Sequence, residues 1–551
     1  MHRYKRDCIV TGILGNSKDR CKACSFYLPH FGIHSQQHNS EKGIYLLFTG
    51  NYGEEMDSKK TKISENLEQN IALYKQIFSD CADIKMRKMQ LGKNKKRACF
   101  LAYIEVSVSN TLLENTALGR LMAALEQIPE EEINRILDTN ALAIADETPY
   151  SYVEDAAEGM LTGDAILFVD GYTKALKIAD QGYPGMGVQE PDSEKVIRGS
   201  KEGFTDSVKT NTALIRKRIR STRVKVQEIK KGVRSQTSVD LVYMDDLIYP
   251  SVLEEIKQRL SAFEIDGVLD SGIIEQLGEE KWYSPFPQFQ TTQRPDRAAL
   301  AVLEGRIVLL SDNSPVALIL PTDMNSFLKS SDDYYNRFEV ATFARILRYM
   351  AAFFAMTLPG LYLAVTNFHT QLLPTPLLLS FWEARIGVPF PAALEVILME
   401  ISFELLREAG VRLPGAMGNT IGIVGGLIIG QAAVDANLVS PIVVIVVAFT
   451  ALCSFSIPNE EFAFAGRILK FYFILMSAWL GFFGCLLALL SVLIHLSRLK
   501  SFGIPYLMPF VGADLSEYQD ERDSIWRAPA FGLTRRPIYT RRGRRVRLKR
   551  K

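Results

Sequence analysis

The stretch FYFILMSAWLGFFGCLLALLSVLI, residues 471–494, contains no Asp, Glu, Lys or Arg. About 20 consecutive apolar residues suffice to cross the hydrocarbon core of a bilayer, whereas a core helix of a soluble protein usually keeps a polar stripe. Residues 349–368, 413–434 and 438–457 share this character. Charge segregates to match. Residues 346–497 hold only six Lys or Arg and eight Asp or Glu, whereas 498–551 hold fourteen and five. The pattern predicts an α-helical polytopic membrane domain over 346–497 with four full spans, followed by a basic tail over 498–551.

The tail ends in RRPIYTRRGRRVRLKRK (535–551), which the positive-inside rule keeps cytoplasmic. With a cytoplasmic N-terminal domain the number of crossings is then even. The N-terminal stretch MHRYKRDCIVTGILGN offers only a short apolar patch before Lys18, Asp19 and Arg20, so the first hydrophobic span is expected to serve as its own insertion signal.

One segment resists this scheme. Residues 389–412, PFPAALEVILMEISFELLREAGVR, are long enough to cross, yet a fifth crossing would put the basic tail outside. An interfacial, re-entrant or bundle-buried helix is favoured. On a helix Glu400, Glu404 and Glu408 form one stripe, with Arg407 beside Glu404 and Arg412 one turn beyond Glu408. Glu395 falls elsewhere on the wheel. Ionisable residues at membrane depth face a bundle interior or a water-filled path. Two readings stand open: a carboxylate ring lining a pore or gate, and an intramolecular Glu–Arg network that fixes helix packing. Next to it, Gly418, Gly422, Gly426 and Gly430 recur every four residues, a small-residue face for close helix packing or a hinge.

The N-terminal part carries an internal repeat. AYIEVSVSNTLLENTALGRLM (102–122) reads against VYMDDLIYPSVLEEIKQRL (242–260), and GDAILFVDGYTKALKIA (163–179) against GRIVLLSDNSPVALILP (305–321). Asp170-Gly171 and Asp312-Asn313 each sit between apolar runs, a hairpin signal. The expected fold is therefore a two-lobed α/β soluble N-terminal domain, with lobes over 98–190 and 238–345. Residues 56–97 form a helical leading segment and 191–237 a basic helical linker. The linker's Lys and Arg read as a solvated face rather than a nucleic-acid surface, since no aromatic platform accompanies them.

No Walker loop, GxSxG or HExxH is present, so neither an enzyme nor a cofactor is expected. Cys21, Cys24, His30 and His34, with His38, have metal-like density, but the Cys-to-His gap is short for a zinc finger. Residues 1–55 read as an uncharacterised extension, with Met56 opening an ordinary polar helix.

Several stretches together carry a resemblance: RGSKEGFTDSVKTNTALIRKRIR (198–220), IDGVLDSG (265–272), SPFPQ (284–288), RPD (294–296) and LEGRIVLL (303–310). It continues through DDYYNRFEVATFARILR (332–348), residues 389–414, GNTIGIVGGLIIGQAAV (418–434) and SFGIPYLMPF (501–510). The chain resembles the A subunits of the GerA family of spore germinant receptors over about 70–530. Gln293 stands where that family usually has Glu, and RGSKEG replaces the commoner RGPREG. The resemblance implies a multi-pass protein of the spore inner membrane, acting with a transporter-like B subunit and a lipoprotein C subunit and contacting no nucleic acid. It also implies an oligomer forming a nutrient-gated ion channel that releases monovalent cations. A scaffold without its own pore is the alternative, and a secondary transporter is disfavoured by the lack of an inverted repeat.

Overall fold

The computed structural model describes residues 60–91, 97–105, 149–178, 190–191, 194–196, 198–411, 416–512 and 520–548. Cys21, Cys24, His30, His34 and Arg412 lie outside them. Among the described residues no cluster of His, Cys, Asp or Glu is arranged to hold a metal.

Lobe 1 opens with α1 (Leu67–Ile77), β1 (Ile84–Leu91) and β2 (Arg97–Ile104), and continues with α2 (Val153–Leu161), β3 (Ala165–Val169) and β4 (Ala175–Ile178). Its strands form one antiparallel sheet in the order β1-β2-β3-β4. Phe100, Phe168, Ala156, Met160 and Tyr74 close the core between that sheet and the two helices.

Lobe 2 repeats the plan with α3 (Val208–Arg218), β5 (Val224–Lys231) and β6 (Thr237–Met244), then adds α4 (Pro250–Ser261), α5 (Ser271–Gly278) and β7 (Gln290–Thr292). It closes with α6 (Pro295–Leu303), β8 (Ile307–Ser311) and β9 (Ala317–Leu320). The strand order is β5-β6-β8-β9-β7, antiparallel throughout. Val242, Val308 and Ile319 face α3 and α6, while Leu241, Leu309 and Leu318 face the other way. Successive strand residues point to opposite faces, so a sheet covered on both sides needs near-continuous apolar strands.

The repeat extends to single hydrogen bonds. Leu67 N–H donates to Asp170 Oδ1 (3.2 Å) and Val208 N–H to Asp312 Oδ1 (3.1 Å), so each hairpin aspartate caps the helix that opens its lobe. Asn70 clamps both backbone groups of Ser64, and Asn211 does the same to Thr205. Gly171 (φ 71°) and Asn313 (φ 64°) occupy the left-handed position that the β3–β4 and β8–β9 turns require.

The 198–232 segment departs from the expected helical linker: α3 and β5 within it are lobe 2's own first helix and strand. β5 also receives lobe 1, because Ala82 N–H donates to Val226 O (2.9 Å) and Val226 N–H to Asp80 O (3.0 Å). Arg216, fully buried, donates to both oxygens of Asp83 at 2.8 and 3.1 Å. Gln293 acts here through its backbone, donating to Glu194 (2.9 Å) and accepting from Phe204 N–H (2.8 Å).

After α7 (Met324–Leu328) and α8 (Asp332–Tyr335), the chain enters a bundle of α9 (Phe338–Asn367), α10 (Thr375–Glu383), α11 (Ala392–Val411), α12 (Ala416–Asp435), α13 (Pro441–Phe455) and α14 (Glu460–Arg498). Among the described residues, α9 and α14 are long and apolar enough to cross a membrane. α13 has 15 residues and so spans about 22 Å, short of the 438–457 span expected.

The opening stretch is not one rod. Gly481 (φ 62°, ψ −139°) breaks α14, and Tyr472 Oη lies 3.0 Å from Ser491 Oγ. In a straight helix nineteen residues would separate them by about 28 Å. Residues 460–480 and 482–498 are therefore two arms of a hairpin. Both ends return to lobe 2: Phe286 packs between Phe462 and His495, and Lys281 Nζ donates to Arg498 O (2.9 Å). The hairpin tip packs against Phe368 at the end of α9.

Candidate functional site

The acidic helix α11 lies against α12, α13 and the first arm of α14. Glu400, almost fully buried, accepts from Lys470 Nζ at 2.6 Å. Glu404 pairs with Arg467 and sits 3.5 Å from Lys470. Two carboxylates spaced four residues on α11 thus meet two cations spaced three on an antiparallel helix, which matches the helical repeat on both sides. Breaking a buried pair by removing one partner leaves an uncompensated charge, typically at about 3–5 kcal/mol.

The contacts around the ridge differ from the pairing expected along one helix. Arg407 leaves Glu404 to Arg467; it stacks 4.8 Å from the centre of the Phe455 ring and reaches Ser454 Oγ at 3.4 Å. Glu408 is exposed. Glu395, which the helical wheel set apart, is a second anchor and is fully buried. Its Oε1 accepts from Arg385 (3.3 Å) and its Oε2 from Ser440 N–H (3.0 Å), tying α11 to the start of α13. Lys470, Arg467 and Arg385 were legible only as charges flanking apolar runs. Their spacing against Glu400, Glu404 and Glu395 was the available signal.

The glycine face is used unevenly. Gly418 and Gly422 lie on α12. A Cβ on Gly430 would come within 3.2 Å of Val444, and one on Gly425 within 3.1 Å of Leu406, while at Gly426 the space is open. Close approach falls on Gly425 and Gly430.

These contacts set direction. α9 runs from lobe 2 to the hairpin tip. α11 and α13 run back toward lobe 2, because Glu400, Glu404 and Arg407 meet Lys470, Arg467 and Ser454 in that order.

A second ionic cluster joins the bundle to lobe 2 and to the basic tail. Arg345 on α9 donates to Asp333 (2.9 Å) and Asp523 (2.7 Å), and Arg348 to Asp333 at 2.9 Å. Asp523 also accepts from Tyr334 Oη (2.7 Å) and Lys329 Nζ (3.1 Å). Burial alone would raise its carboxyl, yet Lys329 and Arg345 outweigh that and lower it to about 2. From there the tail straps back across lobe 2, with Thr540 Oγ1 on Glu304 O (2.7 Å) and Arg541 N–H on Leu247 O (2.9 Å).

Residues 72–539 match the model of the family described as Bacillus/Clostridium GerA spore germination protein. "Uncharacterized membrane protein YfkQ" of Bacillus subtilis (strain 168) is 40% identical over 485 residues, 87% of this chain and 92% of that protein. "Spore germination protein KA" of the same organism is 38% identical over 475 residues, 86% of this chain and 87% of that one. The crystal structure of the N-terminal domain of the A subunit of the Bacillus megaterium spore germinant receptor GerK3 is 28% identical, with a TM-score of 0.39 over 48% of this chain and 98% of that one. With a family match across most of its length, this chain belongs to the GerA spore germination protein family.

Proposed function

We propose that this protein is the A subunit of a spore germinant receptor, acting in the inner membrane with B and C subunits. Its bundle spans the bilayer with the lobes and the tail on the cytoplasmic side. The hairpin in α14 supports this topology. α9, α11, α12, α13 and the two arms make six passes, an even number that includes the acidic helix and leaves the lobes and the tail on one side.

Within that reading, several copies assemble around a cation path gated by nutrient sensing elsewhere in the receptor. One observation carries it. The α11 ridge runs from buried Glu400 to Glu404, 31% exposed and flanked by the exposed Ile401 and Leu405. Lipid cannot solvate carboxylates on such a surface, whereas a wet path or a neighbouring copy can. The scaffold reading draws support from the Glu400–Lys470 and Glu404–Arg467 pairs, which neutralise part of the ridge within one chain.

Exchanging one pair separates the two. Spores carrying Glu404→Arg with Arg467→Glu are compared with wild type for potassium release after nutrient addition, with protein level followed by immunoblot. Normal protein with lost release supports the gate. Normal release would return the ridge to packing.

A further inference from the structure

All four tryptophans of the chain are strongly exposed: Trp282 83%, Trp382 76%, Trp479 79% and Trp526 61%. Trp479 stands two residues before the hairpin tip at Gly481. Trp382 lies on α10, where its neighbour Phe381 packs on Tyr362 of the last turns of α9. Both therefore mark the end of the bundle away from lobe 2.

Trp282 marks the opposite end. It belongs to the loop between α5 and β7, with Tyr283 next to it also exposed and the two rings 6.0 Å apart. This loop is held to the second arm of α14. Tyr283 lies 6.2 Å from the His495 ring, Ser284 Oγ is 2.9 Å from His495 Nε2, and Lys281 Nζ holds Arg498 O. Gln288 pins it from the lobe side by accepting from the Glu280 and Lys281 N–H groups. Phe510, exposed, stands 6.2 Å from Tyr349 of α9.

The two aromatic levels stand roughly 21–28 Å apart along the bundle, approaching the thickness of a bilayer's hydrocarbon core. Phe368, against the hairpin tip, follows Tyr349 by nineteen residues, about 28 Å of helix, and the hydrocarbon core is about 30 Å thick. His495 stands fourteen residues from Gly481, about 21 Å. Trp526 is farther out. Its neighbour Arg527 donates through N–H to Thr342 Oγ1, seven residues and about 10 Å beyond Tyr349 on α9. Amphipathic Trp and Tyr rings collect at the headgroup level of a membrane, and exposed aromatic rings on a loop held in place mark an interaction surface.

We propose that lobe 2 rests on the lipid headgroup layer, with Trp282, Tyr283 and Phe510 immersed in it. The proposal rests on the reading of the bundle as membrane-spanning. The seat fixes the height of lobe 2 over the bilayer, so a tilt of α9 or of the α14 hairpin is transmitted to the lobe through a surface as well as through the chain.

The test uses full-length protein reconstituted in phosphatidylcholine vesicles brominated near the headgroup end of the acyl chains. Single-tryptophan chains keep only Trp282, only Trp479 or only Trp526, the others being changed to Phe. The expected result is strong loss of fluorescence for Trp282 and Trp479 relative to unbrominated vesicles, with Trp526 least affected. Loss at Trp479 with Trp282 unaffected overturns the seat and leaves the spanning bundle standing. No loss at either position overturns both. If the multiply substituted chains do not fold, wild type compared with Trp282→Phe alone reads the same quantity. A smaller fractional loss in Trp282→Phe than in wild type is the expected result, and an equal or larger fractional loss overturns the proposal.

Discussion

Tyr472 and Ser491 share a 3.0 Å contact between their hydroxyls because the chain reverses at Gly481 between them. At φ 62° and ψ −139° that residue occupies a region essentially reserved for glycine, and a Cβ there would lie 2.8 Å from Phe368 Cγ. Gly481→Ala is expected to destabilise the folded chain by about 1–3 kcal/mol. The measurement is thermal unfolding of the purified protein in detergent. Wild-type stability would show that the arms are not folded back at this point.

Arg216 and Asp83 form the buried tie between the lobes, with side-chain exposures of 0% and 9%. Arg216→Met removes the guanidinium and leaves Asp83 buried without its cation, at an expected cost of about 3–5 kcal/mol. Arg216→Met combined with Asp83→Leu should recover much of that loss, because an apolar pair of similar volume no longer buries a lone charge. Limited proteolysis at the α1–β1 loop, residues 78–83, reads the lobe contact. A double variant as sensitive as the single would assign the effect to packing rather than charge.

The β3–β4 and β8–β9 hairpins were legible because their signals are local. Asp-Gly and Asp-Asn between apolar runs favour a tight turn through the backbone preferences of the turn residues themselves, and both hairpins form. The leading helix of each lobe was read as helix but placed outside the lobes, in a leading segment and a linker, and the strands β1 and β5 that follow were missed, although Asn70-Ile-Ala-Leu73 and Asn211-Thr-Ala-Leu214 align across the repeat. In the second copy a dense run of Lys and Arg hid the apolar face formed by Val208, Leu214 and Ile215. The hairpin in 471–494 was not legible, because hydropathy is the same for a straight and a folded apolar run. Only Gly481 and Gly484 hinted at it. The acidic ridge on α11 was legible as a ridge, but its partners sit about 60 to 70 residues away, a pairing set by tertiary packing that no helical wheel contains.

Asp240 on β6 links pH to the same lobe interface. Burial lifts its carboxyl to about 7; the Thr212 hydroxyl, donating at 2.9 Å, opposes this, and Asp83, Glu228 and Asp312 add to it by repulsion. An unfolded aspartate titrates near 3.9, so between about 4 and 7 the folded state binds the extra proton. Stability from this residue is therefore full below about pH 4 and falls as pH rises through about 7. Asp240→Asn should flatten that part of the profile while leaving contributions from other carboxyls, such as half-buried Glu275, in place. Unfolding midpoints of both proteins across pH 4 to 8 decide it; parallel profiles would rule Asp240 out as the titrating group.

Asp523 closes the strap that joins the tail to α9. Its carboxyl, held at about 2 by Lys329 and Arg345 against the effect of burial, lies below the unfolded value. The stability it contributes is present above about pH 4 and lost as pH falls toward 2. Asp523→Asn keeps the shape but leaves Arg345, Lys329 and the Tyr334 hydroxyl without their shared anion, an expected loss of about 3 kcal/mol or more. Because Thr540 and Arg541 still bond to lobe 2 through backbone carbonyls, the loosening should stay local to residues 520–527. Hydrogen exchange across the tail is the measurement. Faster exchange confined to that segment and to the first turns of α9 supports a latch between tail and bundle, whereas release of the whole 520–548 strap would make Asp523 the point on which the tail's docking depends.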